Sequence, residues 1–458
     1  MKANKEKRQA KGIESETLGG SLRAGLSAAS PRAVAPRPAQ LRAFRSYPCR
    51  GVLFTLALLL TIQMHAQVLP LDSVLVMIDR NNPTLKEYEN KVNALDEYSA
   101  GARSWMAPMI GAGTFMTPYP NQTLMGEAEK GAWMFSIEQE IPNPAKQNAN
   151  RIFLQSKAGV EKQNRAIQYN RLKTEAKSYY YQWLVAEKQM SVLKENARIM
   201  ELMVKLARIR YPYNQGSLGN IYKAEGRLAE VENMLLMTRS DIDEKSFRLK
   251  SLLNLSPSDS IMIDTSTVVT FKPDLMYDTT ALSEQRSDIR QINESIKVMR
   301  LNQELQRYQA KPDFKIRFDH MQPVGNMPSQ FSAMAMISIP IAPWSSKMYK
   351  AEVKGIEYDI EAMKKGREAI LVEARGMLAA MASQINRMKQ QLDNYETKII
   401  PALRKNHQTL MLAYEENQEQ LPMVIDGWEA LNMAQMEYLA KLEQYYIMIV
   451  TYEREIEN

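Results

Sequence analysis

Few residues of this 458-residue chain could carry covalent or metal chemistry. It has one cysteine, Cys49, and three histidines, His65, His320 and His407. A nucleophile needs a base beside it, and a metal centre needs His, Cys, Asp or Glu at ligand spacing; no such grouping is present. His320 has no second histidine in its strand-like run, and His407 lies alone in a helix-like one, so both read as solvated side chains. The sequence has no phosphate-binding glycine loop and no paired-carboxylate site. Thioethers suit Cu(I), and Met106, Met109 and Met116, with Met321, Met327, Met334 and Met336, form two loose groups. Their spacing is irregular, so they read as adaptable packing residues. No enzyme, cofactor or resident metal is expected. The chemistry that remains is electrostatic, carried by Glu138, Glu140, Lys315, Arg317 and Asp319 within short alternating runs.

Those runs are the elements that must position the charges. In residues 132–141, Trp133, Phe135, Ile137 and Ile141 alternate with Met134, Ser136, Glu138 and Glu140. Residues 313–321 set Phe314, Ile316 and Phe318 against Lys315, Arg317 and Asp319. Residues 331–341 place Phe331, Ala333, Ala335, Ile337 and Ile339 on one face, and 109–117 form a weaker, glycine-containing run. A period of two with one apolar and one polar face is the pattern of a strand. Lengths of nine to eleven residues suit tilted membrane-spanning strands with the polar face toward water. Four strands cannot close a barrel, and open edges in a bilayer leave backbone groups unpaired. Several chains must therefore pool strands, and the charges on the inner face favour three chains and a wet, twelve-stranded lumen.

Around these runs the chain is written twice. Each copy opens with a helical pattern ending at a proline, Pro108 or Pro312, and continues into a strand pair closed by Ile141-Pro142 or Ile339-Pro340. Long helical stretches follow. Tyr211, Asn214, Gln215 and Leu218 recur 203 positions on as Tyr414, Asn417, Gln418 and Leu421. Leu228, Leu235, Ile242 and Leu249 repeat every seven residues, as do Leu431, Tyr438, Tyr445 and Tyr452, the spacing of helices packed as coiled coils. The expected organisation is a first repeat over 67–255, a Ser/Asp/Thr-rich connector over 256–280 and a second repeat over 281–458. Each long helical run is expected to fold back as a hairpin near its middle. That places the tips at Ala186, Glu187 and Lys188, and at Ala382, Ser383 and Gln384.

Residues 1–66 form a leader. They hold eleven Lys/Arg against three Glu, which accounts for the formal charge of +7 and leaves the rest near neutral. Nucleic-acid binding is thereby discounted. Residues 51–62, GVLFTLALLLTI, are too short for a membrane helix. With basic residues before them and Ala66 after, they read as a signal peptide cleaved after Ala66. Cys49 precedes this run, where a lipid-anchor cysteine would follow it, so no lipidation is expected.

The order of these parts resembles the TolC-like outer membrane efflux proteins, over about 70–458. The resemblance rests on the duplicated layout, NNPTLKEYENKV near the start, the two Tyr-x-x-Asn-Gln-x-x-Leu elements, and EQEIPNPAK and ISIPIAPWSSK after the strand pairs. It implies a mainly α fold with a β-barrel: a homotrimer sharing a twelve-stranded outer-membrane barrel continuous with a periplasmic α-helical tunnel. It implies a passive conduit in a tripartite efflux system, fed by an inner-membrane RND-type pump through a periplasmic adaptor, exporting small molecules or metal cations. MAPMIGAGTFMTPYPNQ looks most like the branch paired with heavy-metal cation pumps. The resemblance also implies a gate of charged and aromatic side chains near the tips, for which Arg387 and Asp393 are candidates and Tyr395 a weaker one; Arg387→Ala is expected to raise leakage of a bulky antibiotic. The alternative is a soluble periplasmic coiled-coil adaptor or scaffold, which has no use for four strands of lipid-spanning length.

Overall fold

The structure is a computed structural model, and it describes residues 67–271, 279–340 and 342–457. The leader, its signal peptide, Cys49 and part of the connector lie outside the described residues. The elements in order are β1 (Gln67–Leu69), α1 (Leu71–Asn81), α2 (Pro83–Gly101), β2 (Met109–Phe115), β3 (Ala132–Ile141), α3 (Pro144–Arg210), α4 (Leu218–Leu252) and β4 (Ile261–Ile263). Then come α5 (Thr279–Gln285), α6 (Ser287–Tyr308), β5 (Asp313–Pro323), β6 (Gln330–Ser338), α7 (Pro343–Asn394), α8 (Ile400–Glu415) and α9 (Leu421–Ile456). The helix–strand pair–long helices order occurs twice.

β2, β3, β5 and β6 form one antiparallel sheet in that order, so the two hairpins join through β3 and β5. Trp133 pairs with Gln322, Phe135 with His320, Ile137 with Phe318 and Glu138 with Arg317. β2 and β6 are the sheet's edges among the described residues. β2 approaches β3 closely at one point: a side chain at Gly111 would meet Ser136 Oγ at 2.6 Å.

The two Ile-Pro dipeptides end the strand pairs, and Pro144 and Pro343 open α3 and α7, where a missing N–H costs nothing. Asn143 caps α3 by accepting from Ala145 N (3.0 Å) while its Nδ2 donates to the Pro312 carbonyl (3.0 Å). α3 is the spine. It packs against α2, α4, α6 and α9. One core gathers Tyr180, Trp183 and Leu184 of α3 with Leu442, Ile449 and Val450 of α9. A second gathers Met200, Met203 and Val204 with Ile221 and Val231 of α4 and Val424 and Trp428 of α9. Heptad residues Ile242, Leu249, Leu431, Tyr445 and Tyr452 are all buried.

The sequence pattern missed one piece of sheet. β1 and β4 pair in parallel, Gln67 with Ile261 through Leu69 with Ile263. They are held from below by buried Tyr180, whose hydroxyl accepts from Asp264 N (3.1 Å) and lies 3.3 Å from the carbonyls of Leu69 and Asp264. Three-residue strands carry no readable period. Here a buried phenol on α3 bonds to the backbone at the ends of both strands.

The hairpin tips are not where helix length suggested. α3 runs unbroken through Ala186, Glu187 and Lys188, and α7 through Ala382, Ser383 and Gln384. Ala, Glu, Lys and Gln are good helix formers and neither triplet holds Gly or Pro, and Trp183, Leu184, Val185, Ala186, Ala382 and Ile385 are buried, so nothing there favours a turn. α3 instead ends at Tyr211-Pro212-Tyr213, followed by Asn214 in the left-handed region (φ 58°) and by Ser217, whose side chain caps α4. The second hairpin turns at Asn417 (φ 60°) between α8 and α9. Asn tolerates positive φ better than other side chains. The repeated Tyr-x-x-Asn-Gln-x-x-Leu element is therefore the turn itself. Between α7 and α8 the chain stays helical through a π-type turn at Tyr395–Ile399 just ahead of Pro401, whose missing N–H would interrupt a regular α-helical ladder.

Candidate functional site: the polar sheet face and the helical tips

The register decides which side chains share a face. Glu138 lies opposite Arg317, Glu140 opposite Lys315, and Asp319 opposite Ser136, so Glu138, Glu140, Lys315, Arg317 and Asp319 fall together on one side of the sheet. Lys315 Nζ is 2.7 Å from Glu138 Oε1, and Arg317 lies between Glu138 (3.9 Å) and Asp319 (2.9 Å). The result is a charge ladder across β3 and β5. Three carboxylates against two cations leave the band one charge negative per chain. Every strand methionine is on this same face: Met109 opposite Glu138, Met134 opposite Met321, Met334 opposite Arg317 and Met336 opposite Lys315. The irregular methionine spacing thus resolves into one face of the sheet.

The opposite face is apolar and open. Trp133, Phe135, Ile137, Phe314, Ile316, Phe318, Phe331 and Ile337 are all exposed, Phe331 at 72%. Phe318 and Phe331 stack at 5.8 Å. Eight large apolar side chains on one exposed sheet face far exceed the scattered hydrophobics of an ordinary surface.

At the other end, the two hairpins are tied together near their turns. Arg210, on the last turn of α3, donates to the carbonyls of Tyr414 (2.6 Å) and Glu415 (2.9 Å) and stacks over the Tyr414 ring (4.1 Å). Lys223 of α4 pairs with Asp426 of α9 (2.8 Å), and Arg227 with Glu429 (2.8 Å) and Glu230 (2.7 Å). Three cations of the first hairpin thus face acceptors of the second. The sequence reading missed all of them, although the repeat offset carries the signal: Lys223 and Asp426 are 203 positions apart, the spacing of the duplicated turn.

The residues expected at the tips lie well back from the turns. At ~1.5 Å per residue, Glu187 is roughly 35 Å from the end of α3, and Ser383 roughly 48 Å from the end of α8. Glu187 accepts from Trp183 Nε1 (3.1 Å) in a helix-packing role. Ser383, Gln384, Arg387 and Asp393 are exposed along α7, and Tyr395 begins the π-type turn. Their assignment to the tip is corrected by the continuity of α3 and α7.

His407 is also corrected. It is 7% exposed rather than solvated, on α8 beneath the start of α9. The crossing is close because Gly427 has no side chain; a Cβ there would meet Leu410 Cδ1 at 2.6 Å. Nδ1 of His407 has no hydrogen-bond partner among the described residues. Burial pushes its pKa below the ordinary value, and a backbone hydrogen bond with Val424 opposes this. The ring borders a groove of about 930 Å³ between α3 and α8, with Arg404 and, across the groove, Lys194, Glu195 and Arg198. The lowered folded-state pKa means that the unfolded chain takes up the proton first. Stability is full above an unfolded pKa of about 6.5 and falls as the pH drops from there toward the folded value. Amide protection factors across 404–428, taken relative to the intrinsic exchange rate at each pH, are expected to fall between pH 7.5 and 5.5, and His407→Gln is expected to remove that fall.

Among the described residues no group of three His, Cys, Asp or Glu could hold a metal ion, and no helix is long and apolar enough to cross a membrane.

An antiparallel sheet with one exposed apolar and one charged face, each strand pair leading into a long helical hairpin, defines the class: this is the TolC-like outer-membrane channel fold. Solved channels share it. The outer-membrane channel OprN is 15% identical, with a TM-score of 0.67 over 84% of this chain and 89% of its own. VceC from Vibrio cholerae is 12% identical, with a TM-score of 0.66 over 84% and 95%, and CusC 13% identical, with 0.67 over 84% and 91%. At these identities the likeness is one of fold. No family model and no curated relative matches the sequence.

Proposed function

We propose that the chain is the outer-membrane channel of a tripartite efflux system, a passive conduit for small molecules or metal cations. It would be fed by an inner-membrane RND-type pump through a periplasmic adaptor. The observation that carries this reading is the exposed apolar sheet face backed by a charged one, in strands of seven to eleven residues. A scaffold or adaptor in water would leave that face exposed. Two unpaired edges in lipid require partners, which supports a homotrimer with twelve pooled strands. α7 supports it too: Met348, Tyr358 and Val372 are exposed on a helix otherwise buried along a single stripe. The charge ladder would then line the lumen and the helical hairpins would form the periplasmic tunnel. Closure would fall at the turns after α3 and α8, where the Arg210, Lys223 and Arg227 contacts join the hairpins.

The test begins with separated outer membranes. Detergent should release a particle of three chain masses that conducts in a planar bilayer; a monomer in the soluble periplasmic fraction would remove the barrel reading. Selectivity follows from the ladder. A lumen band of −1 per chain should favour cations modestly. Glu138→Gln with Glu140→Gln turns it to +1, and the reversal potential in a salt gradient should change sign.

A further inference from the structure

Where the four strands hand over to helices, the chain has a basic collar. Residues 99–108, 142–151, 305–312 and 342–351 contain Arg103, Lys146, Arg151, Arg307, Lys311, Lys347 and Lys350, and no Asp or Glu. The register aligns the helix-side ends of the strands, with Ile141 opposite Phe314 and Asp313 opposite Ser338. Cross-bonds hold three of the four segments side by side: Gln139 Nε2 to the Met106 carbonyl (3.0 Å), Gln147 Nε2 to the Arg103 carbonyl (3.1 Å), and Lys146 to Asp313 (2.7 Å). The fourth follows directly from β6, and Gln303 ties α6 to α7 through the Val353 carbonyl (2.9 Å).

Only Lys146 has a carboxylate partner among the described residues. Arg103 donates to Asn148, Arg307 to Gln303, and Lys311 sits over the Tyr308 ring at 4.6 Å. Glu140, at the end of β3, borders the same groove as Lys146 and Gln147 but pairs with none of the seven, and Glu304 and Glu352 flank the segments on the helices. Elsewhere in the near-neutral part after residue 66 cations are commonly paired, so a band with one ion pair among seven cations is a local feature. Two tryptophans stand in it with open faces, Trp105 at 59% and Trp344 at 83% exposed.

Exposed Trp beside unpaired Lys and Arg, at the end of a lipid-length apolar sheet face, matches a membrane interface: amphipathic rings sit at headgroup level and basic side chains reach lipid phosphates. We infer that this collar binds the headgroups of anionic phospholipids and so fixes the depth of the sheet in the bilayer. The inference rests on the channel reading for its orientation. A second copy is the less suitable occupant, because it would bring the same basic segments.

The probe is dihexanoyl phosphatidylglycerol, compared with dihexanoyl phosphatidylcholine, titrated below micelle formation into the detergent-purified full-length protein and counted by native mass spectrometry. Each basic residue near an anionic surface strengthens association roughly fivefold. The wild type should therefore hold phosphatidylglycerol at least tenfold more tightly at low salt, with the preference shrinking as salt rises. The quadruple variant Arg103→Gln, Lys311→Gln, Lys347→Gln, Lys350→Gln should bind the two lipids alike. Equal binding by the wild type, or an undiminished preference in the variant, would overturn the inference. So would a variant that loses its assembled mass, since the collar would then be joining copies. Conductance of the same wild-type preparation separates the two readings: a conducting channel without lipid preference sinks the collar alone, and a protein that does not conduct sinks the channel.

Discussion

Under the proposed channel function, Arg210→Ala is expected to cause leakage. Arg210 both closes the end of a helix in the second hairpin and stacks on it. Its guanidinium caps the last carbonyls of α8, at Tyr414 and Glu415, while its plane covers the Tyr414 ring. Charged hydrogen bonds contribute about 1.5–3 kcal/mol each when well formed, and a cation over an aromatic face about 0.5–1 kcal/mol at an exposed site. Water replaces part of this once the side chain is gone, so a net loss of about 2 kcal/mol is reasonable. That raises the ratio of parted to joined hairpins roughly thirtyfold. Sensitivity to vancomycin at matched expression and open probability in a planar bilayer should both rise. Lys223→Ala should do less, because its pair with Asp426 is exposed and salt-screened. Arg387→Ala serves as the comparison, far from either turn on α7, and should stay near wild type. Equal leakage from the Arg387 and Arg210 variants would place closure elsewhere on the tunnel.

What could be read in the sequence, and what could not, divides by the range of the interaction. The alternation of Trp133, Phe135 and Ile137 with Met134, Ser136 and Glu138 is local, because successive side chains of a strand must point to opposite faces; β3 runs from Ala132 to Ile141. The heptads on α4 and α9 are local in the same sense. Helix length alone misplaces the tips, because Pro212 and the two left-handed asparagines, Asn214 and Asn417, stand where the chain turns. A helix of 67 residues survives because it is packed by α2, α4, α6 and α9 along its length. The β1–β4 pair and the burial of His407 were invisible for another reason. Each depends on a residue far along the chain: Tyr180 in one case, Gly427 through its missing side chain in the other. The polar face joined both kinds. Its members were readable one strand at a time, but the Lys315–Glu138–Arg317–Asp319 ladder required the β3–β5 register, which no local pattern supplies.

Trp428→Ala is expected to produce the largest loss of stability. Trp428 is 2% exposed in the core joining α3, α4 and α9, and truncating a buried Trp costs about 3–5 kcal/mol. It also orders a polar cluster. Its Nε1 donates to Asn196 Oδ1 (2.9 Å), while Asn196 Nδ2 donates to Asn432 Oδ1 and Gln435 Oε1 (3.1 Å each). Asn196 itself is 2% exposed, so the indole proton is what satisfies its carbonyl. Phenylalanine separates the two effects. Trp428→Phe keeps most of the apolar volume and loses only the donor, leaving one buried acceptor unpaired at about 1–3 kcal/mol. The expected order in thermal unfolding is wild type, then Trp428→Phe, then Trp428→Ala. If the polar cluster sets the register of α9 against α3, Asn196→Leu, which leaves the Trp428 N–H, Asn432 and Gln435 without their partner, should destabilise more than Trp428→Phe, because it strands two buried groups and the half-buried Gln435 in place of one. A mild Asn196→Leu phenotype would mean that packing alone fixes that register.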